Sequence, residues 1–251
     1  MRSDDIFHET YIRPCIIELV SCCSLSFLGN FAGQPNSLRT ITYPLLSGLA
    51  FYLSRSIFSS SSAAIFNPAV LIYLAVNKRI DRIRAVSLLV VQPFGFCLGE
   101  IIFRLLVSST LYEDYIITYE LVVSSGNYRI TRLQAFVLEA ALTGILCLAQ
   151  AKKDGTSESI SSCWAFLQFV SYPLMGQSCN VSLIITKSLI YQILSPLRAS
   201  SMGLLYLNVL NALMGVLIAL IVKIGVQCNE KKLVNLYANE EEAPNRFGNK
   251  S

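Results

Sequence analysis

Two short apolar segments, set among longer ones, constrain this chain more than any other feature. The first opens at Asn67-Pro68-Ala69-Val70 and runs to Val76, and the second opens at Asn180-Val181-Ser182-Leu183 and runs to about Leu194. Each follows a run of small residues, and each is too short to cross a bilayer, which takes a helix of about 20 residues. Around them lie six stretches that are long enough, at 14–34, 41–58, 84–107, 131–151, 160–178 and 203–226. The short segments fall between the second and third stretches and between the fifth and sixth. Short segments at corresponding places in two hydrophobic halves point to a transport path where the halves meet.

Charge supports a membrane setting. Only 14% of the 251 residues are charged, 53% are hydrophobic, and the mean hydropathy is +0.54. A soluble chain carries about 25% charged residues, so this one has too few to cover a water-facing surface. The net charge of +4 does not imply nucleic acid, because the Lys and Arg residues are read as lying in loops and ends. Seven of the eight cysteines (Cys15, Cys22, Cys23, Cys97, Cys147, Cys163, Cys179) lie in or beside apolar stretches, and Cys228 follows one. Without zinc-like or disulfide-like spacing they read as buried thiols. His8 is the only histidine and sits in a polar terminus, so His-based catalysis and a metal site are not expected, and no cofactor is implied. Membrane enzymes and carriers place His, Asp or more charge within their spans, which disfavours both. Asp4, Asp5 and Glu9 precede a late apolar run, so the first span is expected to be kept rather than cleaved.

Lys and Arg near span ends set the expected orientation. Lys78, Arg79, Arg82 and Arg84, then Lys152 and Lys153, then Lys231 and Lys232 fall on one side, against Arg39, Arg129, Arg132, Lys187 and Arg198 on the other. The reading is a cytosolic segment 1–13, a first half 14–110 with its short helix at 67–76, and an external connection 111–130. A second half 131–226, with a short helix at 180–194, leads to a polar, mobile cytosolic tail 227–251. Three spans per half make the second half enter from the opposite side. Glu18 and Glu139, each followed four residues later by a small residue (Cys22, Thr143), and Gly99 and Gly215 mark the repeat. The expected fold is an all-α membrane protein of six transmembrane helices and two re-entrant half-helices in an inverted repeat.

The chemistry suits such a meeting point. A helix that begins inside a membrane leaves backbone N–H groups without partners. Asn caps them while keeping amide donors for a pore, and Pro at the next position loses nothing, because the first turn does not use that N–H. Two facing N-termini place about half a positive charge each at the centre, a barrier to cations and protons.

On these residues the chain resembles the aquaporin family of major intrinsic proteins. The matching landmarks are Glu18, the Ser62-Ala63-Ala64-Ile65-Phe66-Asn67-Pro68-Ala69-Val70 run, Gln92 and Gly99. In the second half they are Glu139 with Thr143, Met175-Gly176-Gln177-Ser178-Cys179-Asn180, and Tyr206 with Gly215. The resemblance implies passive conduction of water or small neutral solutes such as glycerol or hydrogen peroxide, a homotetramer in the lipid bilayer, and residence in the plasma membrane or an intracellular membrane. It assigns the paired motifs to Asn67, Pro68, Ala69, Asn180, Val181 and Ser182, and half-helix support to Glu18 and Glu139. The second motif departs from the family: Val181 stands where Pro is usual, and Leu183 where the filter Arg is usual. By position the filter becomes Ser47, Gln168, Gln177 and Leu183, uncharged and wider. Such departures resemble the unorthodox, superaquaporin-like branch, although that branch more often alters the first motif. The alternative is an aquaporin-derived protein that conducts poorly, with Leu183 as a plug. Glu18 near its span's edge could instead snorkel, Glu100 and Arg104 are spaced to pair on one helix face, and the Asn180-Val181-Ser182 sequon should be out of reach of glycosylation.

Overall fold

The computed structural model describes residues 7–34, 37–59, 64–116, 130–152, 155–176, 179–194 and 205–242. Among them every regular element is helical. A π-helical turn at His8–Ile12 leads into α1 (Arg13–Asn30), which ends in a 3-10 turn, Phe31–Gly33. Then come α2 (Arg39–Phe58), the half-helix α3 (Pro68–Val76), α4 (Arg82–Leu106) and the short α5 (Ser109–Tyr115). The second half holds α6 (Arg132–Gln150), α7 (Ser157–Met175), the half-helix α8 (Val181–Leu194) and α9 (Leu205–Glu242).

The sequence marks most helix starts. The Asp81 carboxylate accepts from Ile83 N and Arg84 N to begin α4. Thr131 and Gln134 form a reciprocal capping box at the start of α6. Thr156 caps α7 through Ser159 N. Among the described residues four stretches are long and apolar enough to cross a membrane: His8–Gly33, Arg82–Leu106, Arg132–Gln150 and Tyr206–Cys228. The more polar α2 and α7 have 20 and 19 residues, about 30 Å at 1.5 Å per residue. Outward-facing Ile16, Val20, Leu49, Val90, Phe94, Val137, Phe166 and Leu217 are exposed, an apolar belt that water would not tolerate and lipid does.

Packing repeats in the two halves. α1 lies along α4 and α6 along α9, while α2 meets α7 across the halves. Each half-helix crosses over, α3 onto α9 and α8 onto α4. Close approach explains the paired glycines. A Cβ on Gly99 would stand 2.8 Å from Ser26 Cβ, and one on Gly215 2.7 Å from Thr143 Cβ, both inside van der Waals contact.

Several expectations change. The tail does not lose structure at 227, because α9 continues to Glu242; Asn229 to Glu242 holds four Glu, two Lys and two Leu, good helix formers. Residues 1–6, 117–129 and 243–251 lie outside the described residues, and with them most of the connection 111–130. So do Arg129, Lys153 and Arg198. Lys187 is not at a loop end but buried in α8, 4% exposed. No cysteine forms a disulfide, and only Cys22, Cys147 and Cys179 are buried. Glu100 and Arg104 do not pair. Glu100 accepts from Asn30 Nδ2 (2.7 Å), Tyr112 Oη (3.1 Å) and Ser26 Oγ (3.4 Å), while Arg104 donates to Ser109 Oγ at 2.6 Å. Burial drives this: a carboxylate with no exposed surface needs donors around it.

Candidate functional site

The two half-helices begin at one place, near the middle of the fold. Asn67 precedes α3 in extended backbone, and its Oδ1 accepts from Ala69 N at 2.9 Å. Asn180 precedes α8, and its Oδ1 accepts from Leu183 N at 3.2 Å. The amide nitrogens cross over. Asn180 Nδ2 donates to Phe66 O at 2.6 Å, and Asn67 Nδ2 donates to Cys179 O. Each Asn therefore caps its own helix and ties the residue before the other Asn. Both amides are fully buried in this exchange, so the Asn180 sequon offers no free side chain.

The residues before each Asn take the same unusual backbone. Phe66 has φ 55° and Cys179 φ 65°, left-handed values that cost a non-glycine residue about 1–3 kcal/mol. Acceptors on neighbouring helices hold them there. The Glu18 carboxylate accepts from Phe66 N (2.8 Å), Ile65 N (3.4 Å) and Gln92 Nε2 (2.9 Å). Glu139 Oε1 accepts from Cys179 N at 2.6 Å. Glu18 is fully buried, so it does not snorkel to a surface. Arg55, which the sequence did not single out, donates to Ala64 O at 2.7 Å and fixes the same loop from α2. Its place one turn before the end of α2 was the only sequence signal for it.

The other motif residues face elsewhere. Pro68, Ala69, Val181 and Ser182 line a cavity of about 240 Å³ bounded by Leu89 and Pro93 of α4 and Val209 and Leu213 of α9. Ser47 is on α2, where its Oγ accepts from Trp164 Nε1 at 3.0 Å. Gln168 is on α7 and Leu183 in the first turn of α8. All three are nearly inaccessible, at 5%, 0% and 3% exposed. Gln177 lies outside the described residues. Among the described residues no group of His, Cys, Asp and Glu is placed to hold a metal ion.

Comparison with known proteins bears on the same region. Residues 12–172 match the family model described as "Major intrinsic protein". Mouse Aquaporin-8 is 32% identical over 95 residues, 37% of this chain, so the match spans about a third (36%) of that relative's length. The X-ray structure of the aquaglyceroporin from Plasmodium falciparum superposes with a TM-score of 0.67 at 20% identity, over 83% of this chain and 94% of that one. That likeness establishes a shared fold. The family match ends before Asn180, so the second junction rests on geometry alone.

Proposed function

The chain belongs to the major intrinsic protein family, and from that premise we propose that it is a membrane channel passing water, and small neutral solutes such as glycerol or hydrogen peroxide, between its two half-helices. One observation carries the reading: Asn67 and Asn180 tie each other's loops and bring two helix N-termini head to head. An amide nitrogen has two hydrogens, so each Asn retains one beyond its carbonyl bond. The facing helix dipoles favour an accepting oxygen and disfavour a cation. Such passage makes and breaks no covalent bond, and on this reading the protein is a conduit rather than an enzyme. We extend to it the homotetramer that the family resemblance implies, and the cytosolic termini that the Lys and Arg distribution supports, in either the plasma membrane or an intracellular membrane. Cross-linking in native membranes would read the assembly.

A second reading, a poorly conducting relative with a structural role, is favoured by the burial of Ser47, Gln168 and Leu183. Stopped-flow swelling of proteoliposomes separates the two. Water or glycerol permeability well above empty liposomes, lost in Asn67→Asp/Asn180→Asp, is the channel outcome. Permeability equal to empty liposomes for folded protein is the second reading's outcome. Leu183→Arg then tests the filter assignment: glycerol flux should fall relative to water, and an unchanged ratio would sink it.

A further inference from the structure

α2 and α7 run antiparallel and meet in levels one helical turn apart, because residues four apart share a helix face. At the level nearest the Asn pair, Phe51 and Trp164 stack, with ring centroids 5.0 Å apart and planes 18° from parallel. Phe51 also meets Phe66 edge-on at 5.5 Å, which joins this level to the loop before Asn67. One turn further out come Ser47 and Gln168, and one turn beyond them Tyr43 and Tyr172. The two tyrosine rings stack at 4.2 Å with planes 13° apart. Between these levels a Cβ on Gly48 would stand 2.5 Å from Ala165 Cβ, so the helices are in direct contact there.

The tyrosine pair forms a small cluster of its own with Ala32, and Leu46 packs against it. It is closed over rather than open. Tyr43 is 2% and Tyr172 8% exposed, and Ala32 has no exposure. Beyond the pair, Arg39 begins α2 and donates to Asp114 O at 2.9 Å and Tyr115 O at 3.2 Å, fixing that end of the helix. Rings in face contact leave no room for a water molecule, which needs a channel about 2.8 Å across.

We propose that the stacked Tyr43–Tyr172 pair is the constriction that decides what enters the pore from the Arg39 end, ahead of Ser47, Gln168 and Leu183. It rests on the reading that solute passes between α2, α7 and the two half-helices. The rings must part for a molecule to reach the Ser47 level, and their shape rather than their hydroxyls makes the block. Arg39 donates to the Asp114 and Tyr115 carbonyls and so fixes the end of α2 beside the rings.

The test combines labelling with flux in proteoliposomes. Ser47→Cys is placed in three backgrounds: native, Tyr43→Phe/Tyr172→Phe and Tyr43→Ala/Tyr172→Ala. A membrane-impermeant methanethiosulfonate is added, and modification at position 47 is read by peptide mass. Labelling should be at least tenfold faster in the alanine background and unchanged in the phenylalanine background. Water or glycerol permeability should rise at least fivefold with the alanines alone. Equal labelling in all three backgrounds overturns the constriction, whatever the flux. Faster labelling with permeability still at the empty-liposome level keeps the constriction and removes the channel reading instead. Elution and thermal melting identify folded protein; if the double alanine variant does not fold, Tyr172→Ala alone, at the more exposed ring, is read by the same criteria.

Discussion

The first and second halves solve one problem with different residues. In the first, Asn67 is followed by Pro68, and the loop is held by Glu18 with Gln92 of α4 donating to the same carboxylate. In the second, Asn180 is followed by Val181, and Glu139 takes Cys179 N. The repeat puts Asn208 of α9 where α4 has Gln92. It is buried at 3% exposed, and its Oδ1 has no partner among the described residues. The left-handed residue, the capping Asn and the cross-bond are nevertheless the same in both. The junction therefore depends on an amide at the cap and an acceptor behind the loop. The proline is an accessory, because the N–H it removes has no partner in a first turn.

The comparison breaks most severely at the carboxylates. Glu18→Ala strips three donors of their acceptor, at about 1–3 kcal/mol for each donor left buried. It should prevent recovery of folded protein, and Glu139→Ala, which leaves Cys179 N without its acceptor, should lower the melting temperature. Equal losses on detergent elution would mean that the halves are supported alike. A smaller effect is expected one residue back. Gln92→Leu should destabilise by about 1–3 kcal/mol, since it removes a buried hydrogen bond to the Glu18 carboxyl. Asn208→Leu should cost less, and a larger loss there would show that Asn208 carries a bond equivalent to Gln92's. Asn211 sharpens the point, since both its amide atoms are buried without a partner among the described residues. Asn211→Leu should raise the melting temperature, by removing a desolvation cost of about 1 kcal/mol. The smallest effects concern the motif's second position. Pro68→Val should cost about 0.4–1 kcal/mol and Val181→Pro should gain a similar amount, both through the unfolded chain. A Val181→Pro variant less stable than the native protein would show that Val181 N is used.

Much of the fold was legible because membranes simplify the code. Span length and the paired Asn follow from rules about hydrocarbon and backbone polarity, so the long helices and two half-helices could be placed from the chain alone, whereas the support role of Glu18 and Glu139 came from the family resemblance. The filter was less legible. Ser47, Gln168 and Leu183 were assigned by position, and position does not reveal that Trp164 donates to Ser47 or that a tyrosine stack closes over that level. Glu100 was paired with Arg104 on spacing alone. The structure turns it instead toward Asn30, Ser26 and Tyr112, because helix spacing says which groups can meet and burial decides which must.

The sequence by itself determined the solvent, the number of long helices, the twofold repeat and the residues at its centre, because each is a local consequence of hydrophobic length or helix capping. Only the tertiary structure decided that the two Asn tie each other's loops, that Pro68, Ala69, Val181 and Ser182 face a cavity toward α4 and α9, and that Tyr43 meets Tyr172. Those are contacts between segments far apart in the chain, and their distances depend on how closely α2 and α7, and the two half-helices, can approach.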